Sequence, residues 1–243
     1  MVSKKWLKLI KSLHQKKYRI EHQLFFVEGK KVVDELLGAN FRPKKILVSN
    51  EFQGAFQNSH MEVISENDFK NISALKNPNG ILGVFEMPKS LPITDEDWVV
   101  VLDNIRDPGN LGTIVRLCDW FGITNLICSP SSVDLYNPKV LQATMGSVTR
   151  VNVVYVDLFE FLKKTSLPVY GTYMEGNTIY HQDLPEKGIL ILGNEANGIS
   201  SDLNELIEHR ITIPQFGNKT TESLNVAMAG GIFLSEIRRR TPI

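Results

Sequence analysis

Cysteine is almost missing from this sequence. Cys118 and Cys128 are the only two in 243 residues, too few for a disulfide framework or a cysteine-bound zinc. Both fall in apolar, periodic segments, which assigns them to core packing. Long apolar runs are missing too. No stretch approaches about 18 consecutive apolar residues, and the basic amino terminus lacks the apolar centre of a signal peptide. The expected compartment is therefore the cytoplasm, with no membrane partner. His14, His22 and His60 have no partners at ligand-like spacing, so no metal site is expected. Net charge is absent as well: 27 Lys and Arg balance 27 Asp and Glu, which removes any overall electrostatic argument for nucleic acid.

The distribution of that charge is uneven. Lys4, Lys5, Lys8, Lys11, Lys16, Lys17 and Arg19 all precede the first acid, Glu21, and Arg238, Arg239 and Arg240 stand near the end. Such runs are either solvated faces and a tail or surfaces for RNA. A polar, proline-containing stretch over 88–97 divides the chain into residues 1–90 and 91–243. In the first region the patterning predicts a basic helix over 4–14 and a strand over 24–27. A helix through Val32, Val33, Leu36 and Leu37, capped by Gly38, follows. Further strands are expected at 46–48 and 81–85, with a helix over 66–75. Beyond the linker, strands at 98–102, 125–128, 151–155 and 169–172 alternate with helices over 108–121, 138–145 and 157–164. That rhythm belongs to a mostly parallel, doubly wound α/β sheet, with the first region a smaller α/β unit.

Three stretches carry chemistry. The first follows the apolar run Trp98 to Leu102, a buried strand that delivers Asp103 into a loop. Asp107 occupies an N-cap position and Pro108 a first helical position, where the missing N–H costs nothing. Leu111, Ile114, Val115, Cys118 and Phe121 form the apolar stripe, and Gly122 supplies a left-handed end. Arg116 lies off the stripe and leans back over Gly112 and Thr113 towards Asn110 and the exposed N–H groups of the first turn. A phosphate-sized anion suits that place. A solvated surface arginine suits it equally well from geometry alone.

The second stretch, 189–200, is a buried strand opening into a polar turn. Gly193 and Gly198 have P-loop spacing, but Ile199 stands where the phosphate-binding lysine must be, so nucleoside triphosphate binding fails. The third is a strand ending at Pro214, a loop over 215–222, and a helix that Ser223 is able to cap, running through Ile232, Phe233 and Ile237. Ala227, Ala229, Gly230 and Gly231 leave its surface open to close approach by another backbone.

In order and spacing these stretches resemble the three signature motifs of the SpoU (TrmH) family of RNA 2′-O-ribose methyltransferases. The phrase Phe26-Val27-Glu28-Gly29, after a basic lead-in, resembles the amino-terminal substrate-binding domain of part of that family. The resemblance implies a SPOUT-class catalytic domain with a C-terminal trefoil knot, a feature no pattern here shows. It implies S-adenosyl-L-methionine as cofactor, held by backbone groups around Leu192, Gly193, Ile213 and Leu224 and near Thr172. It further implies Arg116, Asn110, Glu195, Ser223 and Asn225 as the catalytic set. The substrate it implies is structured RNA, ribosomal before transfer RNA, and a homodimer is expected from the small-residue face of the last helix.

Family precedent gives Arg116 the ribose proton. A guanidinium, with a pKa above about 12, is a poor base. Stabilising a developing alkoxide while holding a phosphate is the second role open to it. Transfer RNA ribose methylation, base methylation and a catalytically idle RNA-binding protein are the alternatives. The Asn110 to Arg116 spacing favours ribose, and the intact catalytic set speaks against an idle protein.

Overall fold

A computed structural model describes residues 2–55, 59–217 and 223–239. It divides into two compact units: residues 1–89 with 134–149, and residues 90–133 with 150–243.

The first unit begins with α1 (Lys4–Ser12), which ends two residues short of the expected 4–14, and α2 (Lys16–His22), which was not expected. The reason is a turn at Leu13, whose N–H is shared between the Leu9 and Ile10 carbonyls. Strand β1 (Leu24–Glu28) is buried throughout, and α3 (Lys30–Gly38) follows it. Gly38 remains helical, and Asn40 takes the left-handed conformation with φ 61°. Next come β2 (Pro43–Ser49), β3 (Met61–Ile64), α4 (Glu66–Ile72) and β4 (Ile81–Glu86). The sheet order is β1-β4-β2-β3, antiparallel except for the parallel β2–β3 pair. Strand β3 is half-buried for most of its length, so no clear apolar pattern announces it.

Alternation along β1 sends Leu24 and Phe26 into a cluster with Ile10, Leu13, Phe69 and Ile72. Phe25, on the opposite face, packs 4.6 Å from Tyr136. Tyr136 belongs to the stretch 134–149, which also carries α6 (Pro138–Thr144) with Val140 and Leu141 buried. Helix α4 stops three residues earlier than expected because Ser73 is extended. Its hydroxyl donates to the Glu28 carboxylate at 2.5 Å, and the Ala74 N–H donates to the other oxygen at 2.6 Å. Burial pushes the Glu28 carboxyl above its ordinary range, against those two bonds.

Arg19 is withdrawn from the basic run. It is 2% exposed, its Nε and Nη2 donate to Asp134 Oδ2 at 3.0 and 2.6 Å, and Nη1 donates to the Leu13 and His14 carbonyls.

The second unit contains β5 (Val99–Leu102), α5 (Pro108–Trp120), β6 (Asn125–Cys128), β7 (Asn152–Tyr155), α7 (Leu158–Leu162), β8 (Val169–Thr178), β9 (Ile189–Leu192), β10 (His209–Thr212) and α8 (Val226–Arg238). Its six strands are all parallel in the order β10-β8-β9-β5-β6-β7. One face is packed by Val99, Val101, Ile127, Ile189 and Ile191 against Leu158 and Leu162 of α7. Strand β8 runs six residues beyond its expected end. Its register against β10 jumps, so that Arg210 faces Gly171 while Ile211 faces Asn177. Cys118 and Cys128 are buried and unbonded, and desolvation pushes the Cys128 thiol up to about 12.

Arg238 is structural: it pairs with Asp97 at 2.9 and 2.5 Å and donates to the Phe121 carbonyl at 2.8 Å. Arg239 pairs with Glu236, and Arg240 lies outside the described residues. The expected knot would be threaded by chain that includes 218–222, also outside them. No helix among the described residues is long and apolar enough to cross a membrane, and no group of three or more His, Cys, Asp or Glu is placed to hold a metal.

Candidate active site

Strand pairing brings the first two motifs together. β5 and β9 are adjacent, parallel and in register, Leu102 beside Leu192, so both motif loops leave the same sheet edge. The Asp103 N–H then donates to the Leu192 carbonyl at 3.0 Å. The buried Asp103 carboxylate accepts from the Ser200 N–H at 2.6 Å, fastening the far side of the second loop.

Helix α5 starts as expected. The Asp107 side chain accepts from the Asn110 N–H at 2.8 Å, and Pro108 is the first helical residue. Its other end closes when the Ile123 N–H bonds the Cys118 carbonyl and the Gly122 N–H bonds that of Asp119, with Gly122 at φ 67°. Helix α8 departs from expectation. Its cap is Asn225, whose Oδ1 accepts from the Ala227 and Met228 N–H groups at 3.0 and 3.2 Å. Ser223 lies two residues too early and is exposed.

The three motifs meet at the side-chain amide of Asn110. Its Nδ2 donates to Glu195 Oε1, and its Oδ1 accepts from Asn225 Nδ2 at 2.9 Å. Both ends of the amide are therefore committed, which fixes its orientation. Asn225 is committed twice over, capping α8 with its oxygen and holding Asn110 with its nitrogen. Arg116 projects from α5 into solvent and has no hydrogen bond or ion pair among the described residues. Its guanidinium is free to meet an anion from outside. Ser223 likewise has no bond to the network among the described residues.

Of the expected cofactor residues, Thr172 lies within β8, Leu192 and Gly193 at and just after the end of β9, Ile213 just after β10 and Leu224 before α8. Thr172 donates its hydroxyl to the Ile191 carbonyl at 2.9 Å, tying β8 to β9. Leu192 is buried, and its carbonyl is already engaged by Asp103. Gly193 follows it, half-exposed. A Cβ on Gly193 would lie 2.5 Å from the Ile199 nitrogen, so only glycine lets the loop turn back on itself. The loop closes by paired bonds between the Asn194 and Gly198 backbones at 2.9 and 2.8 Å. Ile213 is the residue after β10 and is half-buried, while Leu224 is 46% exposed. Leu192 also faces α8, since a Cβ on Gly230 would come within 3.1 Å of its side chain.

Several supporting residues escape a reading of the sequence. Asn194 donates Nδ2 to the Asn104 carbonyl at 2.9 Å and accepts from the Ala196 N–H at 2.9 Å. Ser129 and Ser132, both buried, accept from the Asn104 and Ile105 N–H groups at 2.8 and 3.1 Å. Together they hold Asn104 at φ 58°, a left-handed conformation. The available signal was the pair of asparagines at the two strand ends, a residue type that bonds its own loop.

Residues 97–235 match the SpoU rRNA Methylase family, and residues 4–83 match the MRM3-like substrate binding domain. The chain is 33% identical to the 23S rRNA (guanosine(2553)-2′-O)-methyltransferase RlmP of Bacillus subtilis, over 94% of each chain. It is 25% identical to the mitochondrial rRNA methyltransferase 3 of Mus musculus, over 93% of this chain and 70% of that one. The crystal structure of an AdoMet-bound rRNA methyltransferase from Sinorhizobium meliloti superposes with a TM-score of 0.85 at 29% identity, covering 100% of this chain and 97% of the other. A TrmH-family chain from Porphyromonas gingivalis superposes with a TM-score of 0.89 at 37% identity, covering 99% and 100%.

Proposed function

This chain belongs to the SpoU rRNA methylase family, and from that premise we propose how its own residues carry out methyl transfer from S-adenosyl-L-methionine to a ribose 2′-hydroxyl of ribosomal RNA. The observation that carries the reading is the Asn110 amide, which joins all three motifs in one hydrogen-bonded chain six residues, nearly two helical turns, before Arg116.

The residues present fit the cofactor. Thr172, Leu192, Gly193, Ile213 and Leu224 offer backbone groups and short side chains in or just after neighbouring strands and at the approach to α8. The loop turns back on itself at Gly193, where the Gly198–Ile199 backbone fills the space a side chain would need and holds the strand-end backbone in a fixed shape. When bound there, S-adenosylmethionine supplies the methyl group from its sulfonium.

The ribose hydroxyl is a weak acid and must lose its proton as it attacks, in close to linear alignment with the methyl group. Arg116 grips an RNA phosphate with its planar fork and stabilises the alkoxide as it forms while the hydroxyl proton passes to water, with no carboxylate among the described residues to compete for the guanidinium. Asn110, held from both sides by Glu195 and Asn225, keeps the first turn of α5 in place beneath the substrate. Ser223 stands at the approach to α8, where its hydroxyl, unbonded among the described residues, is available to RNA.

Residues 1–90 capture the RNA, and the protein works in the cytoplasm as a homodimer. Exposed Trp120 on α5 and Met228 on α8, 84% and 66% exposed, support an apolar partner surface on this helix pair. Mapping ribose methylation across total RNA with and without the protein tests the activity. One ribosomal 2′-O-methyl group that disappears and returns on adding the protein and cofactor is the expected result. A mark appearing only on transfer RNA or on a base overturns the assignment.

A further inference from the structure

Helices α1 and α2 carry a surface whose makeup is more specific than a patch of lysines. Across both helices the only acid is Glu21. Lys4, Lys5, Lys8, Lys11, Lys16 and Lys17 are exposed, and none has an ion-pair partner among the described residues. Within this cationic face Tyr18 and His22, one turn apart on α2, place their rings nearly parallel, 15° between planes and 6.4 Å between centroids. The Lys17 ammonium lies 5.7 Å from the Tyr18 ring centroid. His22 is exposed, and neither ring makes a hydrogen bond among the described residues.

A short helix on a surface ordinarily wanders, but this one is clamped. Arg19, on the same helix, is buried, and it ties α2 to the Leu13 and His14 carbonyls at the end of α1 and to Asp134. The rings are therefore presented on a fixed base, and little order need be lost when a flat ligand settles on them.

We propose that Tyr18 and His22 form a stacking platform for an unpaired RNA base, with Lys17 and Lys16 placed for the phosphates on either side. This deepens the reading of residues 1–90 as the RNA-capturing region and rests on it. The chemistry selects single-stranded RNA. A duplex hides its base faces and offers phosphates alone, whereas a loop or bulge offers a free face to an aromatic ring and its backbone to lysine.

The test uses the full-length protein and measures binding of a fluorescent oligouridine and of a blunt RNA duplex of equal length. Tyr18→Ala and His22→Ala should each weaken oligouridine binding by on the order of tenfold and leave duplex binding within about twofold. Tyr18→Phe should bind as the unaltered protein does, because the ring remains. Lys17→Ala should weaken both probes and lower the salt slope by about one, whereas Tyr18→Ala should leave the slope unchanged.

His22 is exposed, so its variant tests the platform even where loss of Tyr18 disturbs α2. Unchanged oligouridine affinity in both alanine variants overturns the proposal, as does equal loss on single strand and duplex, or an unaltered protein that does not bind oligouridine. Failure of the functional reading shows separately, as an unaltered protein that adds no methyl group to ribosomal RNA.

Discussion

Arg116 is the side chain on which the chemistry turns, and its surroundings make its removal interpretable. It is exposed and off the apolar stripe of α5, and alanine is the better helix former, so Arg116→Ala should fold normally. Methyl transfer should fall by roughly 10²–10⁴ in single-turnover assays with cofactor affinity nearly unchanged. Arg116→Lys separates the two roles open to the residue. Lysine keeps the charge, loses the two-pronged grip and gives up a proton more readily. Failure at every pH supports a fixed guanidinium; rescue that grows with pH supports proton acceptance. Asn110→Asp probes the network differently. It sets a carboxylate against the exposed Glu195, so the contact is replaced by repulsion when both are ionised. Activity should drop at neutral pH and recover partly as pH is lowered, a trend Asn110→Ala should lack. If both variants share one pH profile, the contact with Glu195 does not govern the site.

Elements transmit these demands through their ends. Asn225→Ala removes the cap of α8, a cost of about 1 kcal/mol, and also frees one side of Asn110. It should therefore lower activity more than Asp107→Ala, which removes the α5 cap alone, although the two melt alike. At the second motif, Gly193→Ala forces a Cβ against the Gly198–Ile199 backbone. Cofactor binding by calorimetry should be lost while RNA binding persists; intact cofactor affinity would remove Gly193 from that site. At the end of β1, the raised Glu28 carboxyl means that the folded chain holds its proton more tightly than the unfolded chain does. Its contribution to stability is complete below the ordinary glutamate pKa and is lost as pH climbs through the raised value. Thermal melts of Glu28→Gln and the unaltered protein should therefore shift in favour of the variant as pH rises above the ordinary glutamate value of 4.5.

At the scale of the whole molecule, the chain does not divide at one point. Residues 134–149 pack within the first unit although they follow the first motif in sequence. A fragment beginning at residue 91 strips Tyr136, Val140 and Leu141 of neighbours such as Phe25. It should bind an apolar dye and self-associate, and only full-length protein is suited to measuring RNA affinity. The same full-length protein should scatter light as about twice 27.4 kDa, and Trp120→Asp should reduce it to one copy. A monomer that still methylates RNA would show that the exposed tryptophan serves something else.

What the sequence determined by itself was whatever depends on neighbours along the chain. The buried strand before Asp103, the Asp107 and Pro108 start of α5 and the Gly122 end were all legible, because capping and periodicity act over a single turn. The strand and helix rhythm was legible for the same reason, and it sufficed for a parallel sheet. Tertiary structure decided the rest wherever two local solutions were equally good. Ser223 and Asn225 both satisfy the rules for a cap, and what distinguishes Asn225 is the amide of Asn110, distant in sequence, which its nitrogen reaches. Arg19 and Arg238 look like members of basic runs until Asp134 and Asp97 claim them. A charge is free or structural according to what the fold brings within about 3 Å, and composition carries no record of that distance.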